Sequence, residues 1–334
     1  MTGALRYVDD QSPGITRRRA GRYWQYFDAH GKRVTDRAEI DRLNGVGLPP
    51  AYEKAWFSPR ADGHIQAIGY DDKGRKQYRY HPDFRERQEA AKYERCRDFG
   101  KALPKLRKRV EADLRKRKLS RDTVIAAIVR LLDTGRIRVG NEAYVRDNKS
   151  FGATTLRNRH ARVAGRTVKM RFKAKSGIER ELAITDATLS RIVKQCQDLP
   201  GQHLFQYLDD EGEPQPVSST DVNDYIREAT GDDFTAKHFR TWSASAIAFE
   251  QVCGAGSEGI GLEAMLTPVA EALGNTPAIS RKSYVHPALI DAAKDAKAGP
   301  PGLKCPRATK YLSSAERGLI AFLAKASRKR RRKA

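Results

Sequence analysis

The period of the apolar residues changes at Pro82, and this change constrains the fold more than any other feature of the chain. Before it, Gly, Pro and Asp interrupt short strand-like pieces, GRYWQYFD, HIQAIGYD and KQYRYH, which predict a small β-rich domain over residues 1–83. After it, charged stretches over residues 84–99 and 104–118 carry apolar positions at helical spacing. The segment DTVIAAIVRLLDTG is apolar enough to be a core helix, with Ser120 as its N-cap, Asp122 in its first turn and Gly135 closing it. Between residues 160 and 184 the period falls to two: Val168, Met170 and Phe172 share one face, while Lys169, Arg171 and Lys173 share the other. AKSGIEREL then supplies a Ser-Gly turn and a returning strand, with Lys175 near the hairpin tip. Helical patterns resume at TDATLSRIVKQCQDL, SSTDVNDYIREATG, TAKHFRTWSASAIAFEQV and GLEAMLTPVAEALG. The expected class is α+β, a β-rich N-terminal domain followed by a larger, mainly α domain over residues 84–326 that holds a small sheet. The tail SRKRRRKA, residues 327–334, is expected to be disordered, because its like charges repel and it has nothing to bury.

Charge decides the class of partner. A net charge of +23 over 334 residues points to a polyanion, since Lys and Arg that displace condensed counterions gain affinity for phosphates whatever the base sequence. Membranes also attract basic chains, but no apolar run approaches the roughly 18 residues of a spanning helix, and the N-terminus lacks a signal peptide's apolar segment. The expectation is a soluble, intracellular protein bound to nucleic acid. Cys96, Cys196, Cys253 and Cys305 form no CxxC or Cys/His cluster and read as reduced thiols; the seven histidines include no HExxH pair. GYDDKGRK, residues 69–76, lacks the Lys-Ser/Thr of a phosphate-binding loop and reads as a hairpin turn. Neither a nucleotide cofactor nor a metal is therefore expected.

Five segments could carry chemistry, although each taken singly has a plain structural reading. Arg138 in TGRIRVGNEAY would be a surface charge, and Lys175 a solvated hairpin tip. Lys237 and Arg240 share a face near the start of a helix whose first turn could receive a phosphate. Asn275 follows Gly274 where a helix cap is common, and Tyr284 in ISRKSYVHP would be a packing residue with a wet hydroxyl.

Their order is more telling than any one of them. Arg138 in RVGN, Lys175 in FKAKSG, Lys237 and Arg240 in KHFRT, then Asn275 and Tyr284 nine residues apart, resemble the type IB topoisomerases, particularly the short poxvirus-like and bacterial members. Gln77, Tyr78 and Tyr80 in KQYRYH are similar to a DNA-contacting QYxY segment of that family's N-terminal domain, so the resemblance covers roughly residues 20 to 290. Many members carry His where this chain has Asn275; both side chains donate to a phosphate oxygen, but Asn carries no charge.

The resemblance implies a C-shaped clamp around duplex DNA, preferably supercoiled, and a monomeric bacterial enzyme on the nucleoid that needs neither ATP nor metal. It implies that the Tyr284 oxygen attacks a backbone phosphorus and forms a 3′-phosphotyrosine. Arg138, Arg240 and Asn275 would stabilise the transition state, and Lys175, assisted by Lys237, would protonate the departing 5′ oxygen. Two other readings stand beside it. A tyrosine recombinase or integrase would share the phosphotyrosine chemistry but normally has HxxR in place of Lys237 to Arg240. A non-enzymatic DNA-binding protein would need the charge alone.

Overall fold

The computed structural model describes residues 4–294 and 305–331. The chain divides into two compact units, Met1–Lys92 and Tyr93–Ala334.

In the first unit, strands β1 (Ile15–Ala20), β2 (Tyr23–Phe27), β3 (Glu53–Phe57), β4 (Ile65–Tyr70) and β5 (Lys76–Tyr80) form an antiparallel sheet in the order β2-β1-β3-β4-β5. Helix α1 (Arg37–Gly45) covers it, and Ile15, Tyr26, Leu43, Leu48, Phe57 and Ala67 make the core. β1, β3 and α1 were not expected from the sequence. The reason is plain in β1, whose three arginines hide its period. Arg17 lies 4.0 Å over the Trp24 ring and donates to the carbonyls of Leu48 and Pro49, so a charged residue serves as packing. GYDDKGRK is the β4–β5 turn, as its composition predicts. Helix α2 (Pro82–Glu94) goes largely with this unit, and its Phe84 meets the Tyr80 ring at 5.5 Å.

In the second unit, helix α4 (Arg121–Gly135) forms the centre. Ser120 caps it by accepting from the Thr123 amide, and Val124 to Val129, Leu131 and Leu132 are buried. Around α4 pack α3 (Cys96–Leu114), α6 (Ala187–Gln197), α7 (Ser219–Thr230) and α8 (Ala236–Gly254). Helices α5 (Glu142–Asn148), α9 (Leu262–Leu273), α10 (Pro277–Ser283), α11 (Pro287–Lys294) and α12 (Ser314–Arg331) complete the helical part. Strands β6 (Ala161–Ala164), β7 (Thr167–Lys173) and β8 (Glu179–Thr185) form one antiparallel sheet, and β9 (Gln206–Leu208) pairs with β10 (Pro214–Pro216). On β7, Val168, Met170 and Phe172 are buried and the three basic residues between and after them are exposed, as the alternation requires.

Three local expectations are corrected. The break expected before Pro104 falls instead at Arg95, and α3 runs through Pro104, because Phe99, Leu103, Leu106 and Val110 form one buried stripe across it. That stripe outweighs the roughly 3 kcal/mol a helical proline costs. The left-handed residue that ends α4 is Arg136 (φ 53°) rather than Gly135. The tail expected to be disordered from Ser327 continues α12 to Arg331, with residues 332–334 outside the described chain. Lys and Arg are good helix formers, and the preceding turns are already anchored by buried Leu319 and Leu323.

A buried ion network docks α12. The Arg107 guanidinium forks onto both Asp133 oxygens (2.7 and 2.8 Å) and both Glu316 oxygens (2.8 and 2.7 Å), and the Trp242 indole donates to Glu316 at 2.9 Å.

Candidate active site

Four of the six catalytic candidates converge. Arg138 leaves the end of α4 on an extended stretch fixed by buried Ile137. Its carbonyl accepts from the Ala153 amide at 2.9 Å, and the Val139 carbonyl accepts from the Thr154 amide at 2.7 Å. The glycine of RVGN is required twice over: Gly140 has φ +98°, and a Cβ on it would sit 2.9 Å from the Thr155 hydroxyl and 3.1 Å from the Gly152 carbonyl carbon. Arg138 Nη2 donates to the Tyr284 hydroxyl at 3.2 Å.

Arg240 comes from α8, one turn after Lys237, and is 4% exposed. Its Nη1 donates to the Arg136 carbonyl and its Nη2 to the Leu273 carbonyl at 3.1 Å. Its guanidinium carbon lies 4.8 Å from the Tyr284 ring centre, and its buried Nε has no hydrogen-bond partner among the described residues. Neither Arg138 nor Arg240 has a carboxylate partner among the described residues, which is unusual for a guanidinium so deeply buried as Arg240. Burial, and then the charge of Arg138, push the Arg240 pKa down to about 10, so it stays charged at neutral pH.

Tyr284 ends the short helix α10, which Thr276 caps and Pro277 opens. Its amide bonds the Ser280 carbonyl at 3.1 Å, and the following residue, Val285, is fully buried, so the backbone beneath the ring is fixed. Burial raises the phenol's pKa, but the charges of Arg240 and Arg138 outweigh it and hold the group below the ordinary tyrosine value.

Asn275 follows Gly274, the left-handed residue (φ +60°) that ends α9, and its amide bonds the Ala270 carbonyl at 2.9 Å. Its side chain fits best with the oxygen accepting from Arg240 Nη2 at 3.0 Å and the nitrogen donating to the Gly274 carbonyl at 3.2 Å. The opposite orientation offers only a long 3.4 Å bond from Arg138 Nη2. In the better orientation the amide nitrogen lies on the Arg138 side, as a neutral donor among cations.

The two lysines are not drawn into this cluster. Lys175 opens the β7–β8 tip, where Ser176 (φ 66°) and Gly177 (φ 74°) turn the chain, and it is exposed. Lys237 is exposed on α8, and no hydrogen bond or ion pair among the described residues joins either lysine to the other four. The neighbouring His238 is structural: it caps α8 through the Thr235 amide at 3.0 Å, and burial pushes its pKa down to about 4.

In the first unit, Tyr78 and Tyr80 stack with ring centres 5.8 Å apart and are each 39% exposed. Strand alternation puts them with Lys76 on one face of the edge strand β5. Gln77 falls on the other, where its amide donates to Asp71 at 3.0 Å. The sequence reading grouped Gln77 with the tyrosines; the pleat separates them.

One residue was missed. Arg180 on β8 donates from Nη1 to the Glu271 carbonyl (3.3 Å) and from Nη2 to the Ala272 carbonyl (3.0 Å), just before Gly274 and Asn275. The signal available was an arginine at an inward position of a strand whose other inward residues are Leu182 and Ile184.

Among the described residues no three His, Cys, Asp or Glu side chains gather as a metal would need, and no helix is long and apolar enough to cross a membrane. What the cluster can do is hold a phosphate against a tyrosine hydroxyl. Two fork-shaped cations and a neutral donor surround one phenol whose proton is loosened.

Comparison with known proteins identifies the family. Residues 81–294 match the family model for the eukaryotic DNA topoisomerase I catalytic core, and residues 23–71 match that for the bacterial DNA topoisomerase IB N-terminal domain. DNA topoisomerase 1B of Acanthamoeba polyphaga mimivirus is 32% identical over 286 residues, spanning 81% of this chain and 85% of its own length. DNA topoisomerase I of Monkeypox virus is 24% identical over 73% of this chain and 76% of its own. DNA topoisomerase 1B of Vaccinia virus (strain Copenhagen) is 23% identical over the same 73% and 76%. With one model covering most of the second unit, another most of the first unit's sheet, and a relative aligned along four-fifths of its length, the chain belongs to the type IB DNA topoisomerases and is an isomerase of DNA.

Proposed function

We propose that the protein relaxes supercoiled DNA as a monomer by cutting one strand, letting it rotate and resealing it, with Tyr284 as nucleophile. The deprotonated Tyr284 oxygen attacks a backbone phosphorus, a P–O bond to tyrosine forms, and the P–O bond to the 5′ oxygen breaks. That oxygen leaves with a proton from Lys175, assisted by Lys237; an acid of this kind contributes about 10²- to 10⁴-fold. Religation reverses each step, and because one phosphodiester replaces another, no ATP is consumed. Arg138 and Arg240 meet the charge that builds on the non-bridging oxygens, and the Asn275 amide adds a neutral donor.

The single observation that carries this reading is the pair of guanidiniums, without carboxylate partners among the described residues, that meet one tyrosine: Arg138 donates to its hydroxyl at 3.2 Å and Arg240 lies over its ring at 4.8 Å. A structural ion pair would place an acid there; an anion site leaves the place for a phosphate. The exposed Tyr78–Tyr80 stack, beside Lys76, supports a second contact surface for the duplex.

The test is relaxation of a negatively supercoiled plasmid in EDTA without ATP, comparing wild type with Tyr284→Phe. Relaxation by the wild type alone is expected. A wild type that shifts plasmid mobility but never changes linking number would overturn the proposal.

A further inference from the structure

We infer that Arg180 is a positioning residue that ties the β7–β8 hairpin to the end of α9, so that Lys175 at the hairpin tip reaches the departing oxygen. The inference rests on the phosphotyrosine reading above and assigns a role to a residue outside its set of six.

Arg180 stands where a strand normally carries an apolar residue. On β8 the inward residues are Arg180, Leu182 and Ile184, and Arg180 is the last of them before the tip, paired in register with buried Phe172 of β7. An inward strand position normally takes an apolar side chain. Arg180 is half-buried there and has no carboxylate partner among the described residues. Burial lowers its pKa, and so do the neighbouring charges of Arg138 and Arg136. A charge held against both burial and like charges stays only where its geometry is used.

Its geometry is a bridge. The two terminal nitrogens fork onto two successive carbonyls of the last turn of α9, Glu271 at 3.3 Å and Ala272 at 3.0 Å. The backbone they hold leads in three residues to Asn275. Gly274 lies under the same guanidinium: a Cβ there would fall 2.5 Å from Arg180 Nη1 and 2.8 Å from its Cδ. The absence of a side chain at residue 274 therefore admits the arginine as well as permitting the left-handed turn.

From Arg180 outward the hairpin is stiff. The tip is closed by the Ala174 amide on the Ile178 carbonyl (2.8 Å) and the Gly177 amide on the Ala174 carbonyl (3.1 Å). On the solvent face Arg171 pairs with Glu179 (2.8 Å) and Glu181 (3.1 Å). The direction of the tip is thus set where the hairpin meets the helical body, by the Phe151 amide on the Lys173 carbonyl (2.8 Å) on the β7 side and by the Arg180 side chain on the β8 side. Lys175, which no hydrogen bond or ion pair among the described residues joins to the Tyr284 cluster, depends on that direction.

The test uses the full-length protein in single-turnover cleavage of a duplex bearing a mapped cleavage site, prepared with either oxygen or sulfur as the 5′ bridging atom. A thiolate leaves without a proton, so a defect that acts through the proton donor disappears on the sulfur substrate. Lys175→Ala is the reference, with Arg180→Ala and Arg180→Lys compared at equal folded fraction by thermal melting. We expect Arg180→Ala to cleave the oxygen substrate about 10- to 10²-fold more slowly, a part of what a general acid contributes, yet the sulfur substrate at close to the wild-type rate. Arg180→Lys, with one donor for two carbonyls, should recover part of the loss. Equal slowing on both substrates, no slowing on oxygen, or failure of Lys175→Ala itself to be rescued by sulfur would overturn the inference while leaving Tyr284 as nucleophile intact. A wild type that cleaves neither substrate would overturn the underlying reading.

Discussion

Replacing Arg240 by methionine should separate catalysis from stability. The guanidinium is 4% exposed, has no carboxylate partner among the described residues, and holds the Arg136 and Leu273 carbonyls. Removing it leaves those two carbonyls short of a donor, about 1 to 3 kcal/mol each where water does not replace it. It also relieves the desolvation of a buried cation, an effect of several kcal/mol in the opposite direction. The two nearly cancel, so Arg240→Met should change stability by no more than about 2 kcal/mol, or under about 8 °C in melting temperature for a unit of this size. Catalysis has no such compensation. Loss of one preorganised donor at the developing charge costs about 10²- to 10³-fold, or roughly 3 to 4 kcal/mol. The assay is single-turnover formation of the covalent protein–DNA adduct on a denaturing gel, read beside a thermal melt. Adduct formation within threefold of wild type would refute the placement of Arg240 at the reacting phosphate. A collapse in melting temperature matched by full activity of the remaining folded protein would refute the argument about its burial.

Two further predictions concern pH. Because Arg240 and Arg138 hold the Tyr284 phenol below the ordinary tyrosine value, the rise of cleavage rate with pH should level off below about pH 10. Arg138→Ala should move that inflection upward, and an unmoved inflection in the pH–rate profile would count against the assignment. Burial raises the Glu316 carboxyl, but its bonds to Arg107 and Trp242 more than reverse this and leave it below the usual glutamate value. Its stabilising contribution is therefore complete above the unfolded pKa, about 4.3, and is lost as pH falls through the lower folded value. Glu316→Ala leaves Arg107 still paired with Asp133 but takes the acceptor from the Trp242 indole, so it should cost about 1 to 3 kcal/mol at neutral pH, and should flatten that part of the acid dependence in chemical denaturation.

Much of the candidate site was legible because the resemblance rests on residues in a fixed order, of which the structure brings Arg138, Arg240, Asn275 and Tyr284 together. The Gly before Asn275 marks a helix end that the sequence alone can read. The helices α4, α6, α7, α8 and α9 were legible from period and caps. What escaped was whatever depends on contacts far apart in sequence. β1 could not be read because Arg17 packs as an aromatic partner of Trp24. The passage of α3 through Pro104 depends on a buried stripe that propensity does not weigh. The resemblance groups Gln77 with Tyr78 and Tyr80, and only the strand's pleat shows that Gln77 lies on the opposite face. Arg180 escaped because its partners are main-chain carbonyls some ninety residues away, which leave no trace in residue types.

The carbonyls that hold Arg240 and Arg180 all lie at helix ends, those of Arg136 at the close of α4 and of Glu271, Ala272 and Leu273 at the close of α9. Such ends carry a diffuse counter-charge equivalent to roughly half an electron. The arginines are thus steadied by peptide dipoles instead of acids. A carboxylate would compete with an incoming phosphate and would itself titrate; a helix end does neither. The cluster therefore keeps its positive charge through neutral pH, up to the range near 10 where Arg240 itself titrates.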